Sequence, residues 1–220
     1  MIYTNKKYIR AIFGALLAFT FLSAATFIPT AGEAQLNCQS EIYLQAKNTP
    51  EDKFKKGYCF IKLGQFQEGV TRLKDVENEI PLVGDYVIYY QAAGYENMGD
   101  LNTSASLFNK ILTQYPTSGL KKKVLARIGN IYTQTGDYQN AERIYKSLYV
   151  EESDRSLKAS YLYGLGEALE KQGKFSEAMS NYKMTWVEYP ETQSSSKAYA
   201  AAQNLSKVSG VPFSASESDY

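Results

Sequence analysis

Residues 129–145 read GNIYTQTGDYQNAERIY. A small residue, Gly129, stands seven positions before Gly136, and Tyr132 stands four before it; Ala141 follows five positions after, and Tyr145 nine after. Gly136-Asp137-Tyr138 reads as a tight turn between two helical patterns. The small residues on either side let two helix axes approach, and the tyrosines fill the space beside them at helical spacing.

The same wording returns along the chain. Gly64-Gln65-Phe66, Gly99-Asp100-Leu101 and Gly173-Lys174-Phe175 are turns of the same kind, and the four glycines are 35, 37 and 37 residues apart. Gly57, Ala92 and Gly166 match Gly129; Phe60, Tyr95 and Leu169 match Tyr132. Gly69, Ser104 and Ala178 match Ala141; Leu73, Phe108 and Tyr182 match Tyr145. Pro81, Pro116 and Pro190 stop the second helix in three units, where the third has Ser153. Self-similarity at such a period predicts stacked supersecondary units in which each hairpin buries its apolar face against the next. The expected helices are about 38–48, 51–63 with 66–78, 85–98 with 101–114, 120–135 with 138–150, 157–172 with 175–188, and 193–208. In the last, Ala198, Ala201, Ala202, Leu205 and Val208 form an apolar stripe, with Ser195, Lys197, Gln203, Asn204 and Lys207 on the polar side.

These units resemble the tetratricopeptide repeat. The resemblance implies an all-α, tetratricopeptide-like α-solenoid of about four helical hairpins over residues 51–190, preceded by an N-terminal helical segment at 35–50. A capping helix at 191–209 and a serine-rich, flexible tail at 210–220 would follow. The first unit departs from the pattern, since Lys53 and Lys56 stand where core residues are usual.

Composition narrows the function. The 220 residues are 44% hydrophobic, enough for a core, and 24 Lys plus Arg against 23 Asp plus Glu leave no basic excess for a nucleic-acid partner. There is no histidine, which removes the usual nucleophile triads and the commonest general base. No cofactor and no metal are expected. Lys6, Lys7 and Arg10 precede the uncharged run AIFGALLAFTFLSAATFI at 11–28, and the small residues of 30–34 follow Pro29. That layout predicts a signal peptide over 1–34 and a periplasmic chain; an uncleaved segment anchoring it to the membrane is the alternative. Leu36-Asn37-Cys38 is a poor lipidation motif. Cys38 and Cys59 are the only cysteines, both in the exported part, and an oxidising compartment favours a disulfide between them.

Pro81-Leu82-Val83-Gly84-Asp85-Tyr86-Val87-Ile88-Tyr89-Tyr90 and Trp186-Val187-Glu188-Tyr189-Pro190 look like phrases of the N-terminal superhelical domain of soluble periplasmic lytic transglycosylases. That resemblance spans about residues 51–212 and implies contact with peptidoglycan, but the lysozyme-like catalytic domain of the family has no counterpart in these residues. Glu217-Ser218-Asp219-Tyr220 has the letters of the catalytic phrase without walls to raise a carboxyl pKa. Glu151-Glu152 are sequence neighbours that diverge, and Lys121-Lys122-Lys123 reads as a solvated helix start. No catalytic residue is expected.

The chain therefore reads as an exported, non-enzymatic scaffold that binds a protein, a peptide or a peptidoglycan strand. The alternatives are the front part or a shortened relative of a lytic transglycosylase, or an envelope-assembly or cell-division adaptor. In tetratricopeptide-like repeats the first helix of each pair lines the concave side. The core phase then turns Tyr86, Tyr89, Ala93 and Glu96 toward the groove in the second unit, Lys123, Ala126, Asn130 and Thr133 in the third, and Ser160, Tyr163, Glu167 and Glu170 in the fourth. Tyrosines beside amides and carboxylates stack on sugars or hold an extended peptide.

Overall fold

The computed structural model describes Cys38 and residues 48–213. The expected signal segment, most of the expected helix at 38–48, and Glu217 with its neighbours lie outside the described residues. Those described divide into two compact units, up to Ser118 and from Gly119. All their regular structure is helical, with no strand among them.

The first unit contains α1 (Pro50–Lys62), α2 (Phe66–Leu73), the one-turn helix α3 (Val76–Glu79), a 3-10 turn at Pro81–Val83, α4 (Gly84–Asn97) and α5 (Leu101–Gln114). Thr49 starts α1: its hydroxyl accepts the N–H of Asp52 at 3.2 Å, with Pro50 in the first turn, where a missing N–H costs nothing. Ile61, Val70, Leu73, Val76 and Val87 form the core. Gly57 is required for the approach of α1 to α2, since a Cβ there would lie 2.5 Å from Leu73 Cγ.

The expected helix at 66–78 is broken. Asp75 takes a left-handed conformation, φ 63°, which aspartate tolerates better than most residues, and α3 starts anew from it. The break puts Glu79 beside Lys53 at 2.9 Å and Glu77 beside Lys110 at 2.9 Å. Lys53, which departs from the repeat pattern, is thus held at the edge of the core by a carboxylate from α3.

The second unit contains α6 (Lys121–Thr135), α7 (Tyr138–Glu151), α8 (Arg155–Lys171), α9 (Phe175–Glu188) and α10 (Gln193–Ser209). α8 packs on both α7 and α9, and α10 closes against α9 and α8. The turn glycines of all four hairpins have φ between 75° and 88°, the region that disfavours every residue with a side chain. Asp100, Asp137 and Asp154 cap α5, α7 and α8 by accepting the N–H three residues on, at 3.1, 3.3 and 2.9 Å.

Where the third hairpin ends without proline, Glu152 stops α7. Its Oε1 accepts the N–H groups of Ser153 at 2.9 Å and Asp154 at 3.1 Å, and these bonds hold its carboxyl below the usual range. Lys122 donates to the Glu151 carbonyl at 2.9 Å, so the adjacent glutamates serve a helix end. In α10, Ala198, Ala202 and Leu205 are buried, but Val208 is 72% exposed and Ser195 is buried. The stripe shifts because the Ser195 hydroxyl donates to the Trp186 carbonyl at 3.2 Å, turning that face inward.

Candidate functional site

In the second unit, the first helices α6 and α8 and the closing helix α10 are in contact in sequence order, with α7 and α9 behind. Glycine at 166 lets α8 approach α9 so closely that a Cβ would stand 2.6 Å from the Tyr182 ring. That approach sets up a four-residue cluster. The Tyr182 hydroxyl donates to Glu170 Oε2 at 2.7 Å, and the Tyr163 hydroxyl donates to Glu167 Oε1 at 3.0 Å. The two rings lie 5.7 Å apart in a tilted arrangement.

Burial pushes the Glu167 carboxyl up, and the Tyr163 hydroxyl and the charges of Lys197 and Lys171 oppose it. Burial likewise raises Tyr163 and Tyr182, and the carboxylates beside them push in the same direction. Tyr163, Glu167 and Glu170 are half-buried, so each keeps an edge at the surface while Tyr182 is fully enclosed. A carboxylate already holding one phenolic donor, in a partly desolvated position, can accept a further N–H or ammonium group from a ligand. Asn130 and Lys123 are exposed on α6, and Thr133 is half-buried with its hydroxyl donated to Gly129 O at 3.0 Å.

The first unit is arranged differently from the sequence expectation. Tyr86 and Glu96 are half-buried, but Tyr89 is 3% exposed and Ala93 is buried. Tyr89 lies 5.7 Å from Phe108 and is a core residue, so it is withdrawn from the groove set. α4 is covered by α1, α2, α3 and α5, and its buried surface is far wider than one stripe. The neighbouring Tyr90 is half-buried, 4.7 Å from Tyr58 and 6.2 Å from Phe54, both of α1. The four-residue step from Tyr86 to Tyr90 was the signal that places both on one helix face. Tyr58, Phe54, Tyr182 and Lys197 were missed as site members because their neighbours come from other helices. Lys62 lies over the Tyr58 ring at 5.7 Å. Cys38 and Cys59 are joined by a disulfide, Cα to Cα 5.0 Å, which ties Cys38 to α1.

Two tetratricopeptide-repeat family models match the chain, one at residues 124–159 and the other at 86–118 and 160–192. Among solved structures, MamA of MSR-1 is similar at 20% identity and a TM-score of 0.58, over 74% of this chain and 88% of that chain. MamA of AMB-1 is similar at 20% identity and 0.58, over 73% and 82%. A Podosopora anserina protein of the kinesin light chain type, with nearly identical TPR-like repeats, is similar at 14% identity and 0.60, over 76% and 89%. No curated protein matches the chain. At these identities the structures speak to the fold, and the matches carry the repeat, not the lytic transglycosylase resemblance. The described residues are all-α, and tetratricopeptide repeats are matched at residues 86–118, 124–159 and 160–192.

Proposed function

We propose that this chain is an exported, non-enzymatic scaffold whose second unit binds an extended peptide of a protein partner on the face of α6 and α8. Repeats of this architecture commonly act by presenting helix faces to proteins. The observation that carries the reading is the paired Tyr163–Glu167 and Tyr182–Glu170 cluster, which holds two carboxylates at a half-buried edge with exposed amide and lysine side chains on α6. Its chemistry suits lysine, arginine or backbone N–H donors of a peptide. Glu167→Gln together with Glu170→Gln is expected to abolish partner binding at neutral pH while the helical circular dichroism stays; retained binding would refute the site.

Export rests on the basic start, the apolar run at 11–28 and the Cys38–Cys59 disulfide. Mass spectrometry of the chain from its native cells, with thiols blocked at lysis, is expected to find Gln35 as the first residue and both cysteines bridged. A chain beginning at Met1 with free thiols would contradict it. The Phe54, Tyr58 and Tyr90 cluster of the first unit favours a second reading, contact with a peptidoglycan strand through ring stacking. Co-sedimentation with sacculi that Tyr58→Ala reduces would support that reading, and absence of co-sedimentation would remove it.

A further inference from the structure

The far end of the second unit carries a contact that the α6–α8 face does not use. α10 stops at Gly210, whose φ of 74° turns the chain out of the helix. The next residues fold back on that helix. The N–H of Val211 donates to Ser209 Oγ at 3.2 Å, and the N–H of Phe213 donates to Ser206 Oγ at 3.2 Å. Pro212 has no N–H, so both donors of the three-residue segment are held by hydroxyls three positions apart on the last turn of α10.

The Phe213 ring packs against Trp186 of α9 at 5.7 Å and Tyr199 of α10 at 5.5 Å, and those two rings are 5.0 Å apart. All three pairs are tilted or edge-on, the arrangements that aromatic quadrupoles favour. The helices that carry Trp186 and Tyr199 are joined without the tail: α9 and α10 pack on each other, and Ser195 ties α10 to the Trp186 carbonyl. It is also open-sided, since Phe213 and Trp186 are half-buried and Tyr199 is 37% exposed.

We propose that the Trp186–Tyr199 cleft is a recognition site for an extended peptide with an aromatic anchor, and that Val211-Pro212-Phe213 occupies it as an internal competitor. The segment in place defines the ligand chemistry: an uncharged ring in the cleft, with the N–H of the anchor and of the residue two before it bound by Ser206 and Ser209. A tethered ligand of this kind is present at an effective concentration on the order of millimolar or above, so an outside peptide enters only when it outcompetes the tether. The site shares no residue with the Tyr163 cluster, and its failure would leave the proposed function untouched.

Trp186 is the sole tryptophan, so its emission reports the cleft directly. The probe is the blocked peptide acetyl-Gly-Val-Pro-Phe-amide, titrated into the full chain and into its Phe213→Ala variant. The variant is expected to give a saturable change in emission with an apparent affinity about tenfold or more above that of the parent. The same peptide ending in alanine is expected to give none, as is the Phe213→Ala/Tyr199→Ala double variant. Should Phe213→Ala lose its helical signal, Phe213→Leu replaces it, removing the aromatic ring while keeping apolar volume and leaving Ser206 and Ser209 in place. No saturable response up to about ten millimolar, or an equal response from parent and variant, would overturn the proposal.

Discussion

Tyr182, on α9 and fully enclosed, donates its hydroxyl proton to Glu170 of α8 across 2.7 Å. This bond joins the two helices of the last hairpin at the point where Gly166 lets them touch, and it orients one of the two carboxylates of the candidate site. Removing only the hydroxyl, with Tyr182→Phe, leaves the packing and deletes the bond. A loss of about 1.5–3 kcal/mol is expected in urea unfolding, the range for a hydrogen bond to a charged group. A loss near zero would mean that water replaces the phenol.

Gly166→Ala tests the close approach. The new Cβ would stand 2.6 Å from a ring that is 1% exposed and anchored at its far end, so the ring cannot swing aside. Overpacking of this kind is expected to cost about 1–3 kcal/mol. The combination with Tyr182→Phe is expected to cost less than the sum of the two, since a ring freed of Glu170 can shift.

The repeat was legible because its marks are local and steric: four turn glycines at positive φ and small residues at each helix contact. Features that depend on what surrounds a helix were not legible. One apolar stripe was assigned to α4, but neighbours on several sides bury Tyr89 and Ala93 beside Ile88 and Ala92. The break at Asp75 was hidden because no glycine or proline marks it, and its benefit, a carboxylate for Lys53, comes from a residue 26 positions away. In the candidate site, Tyr163, Glu167 and Glu170 were visible from helical phase alone, whereas Tyr182 enters from the opposite helix of the pair.

Glu167 gives a pH signature. Its folded carboxyl lies above the ordinary value chiefly through burial, so the folded state holds this proton more tightly than the unfolded chain. The contribution favouring the fold is full below the ordinary carboxyl range and is lost as pH rises through the folded value. Glu167→Gln, which keeps an oxygen for Tyr163, is therefore expected to stabilise the protein at pH 7 relative to the parent. That advantage is expected to shrink as the medium is acidified through the same range. Thermal unfolding of both proteins between pH 4 and about 7 checks the sign, and a constant difference would contradict it.

The Cys38–Cys59 bridge closes a loop of 21 residues in sequence separation. On the chain-entropy account, Cys38→Ser/Cys59→Ser is expected to lose about 3 kcal/mol, and a reducing agent is expected to lower the parent's unfolding midpoint but not that of the variant. Equal midpoints for the parent with and without reductant would show that the bridge does not constrain the unfolded chain.

Partner binding on the face of α6 and α8 is open to site-specific photo-cross-linking. A photoreactive amino acid at Asn130, exposed on α6, is compared with one at Ser180, exposed on α9. A discrete adduct with one protein is expected from position 130, absent from position 180 and lost when Glu167→Gln/Glu170→Gln is combined with the probe. An adduct formed equally from both positions, or one at 130 that survives loss of the two carboxylates, would contradict it.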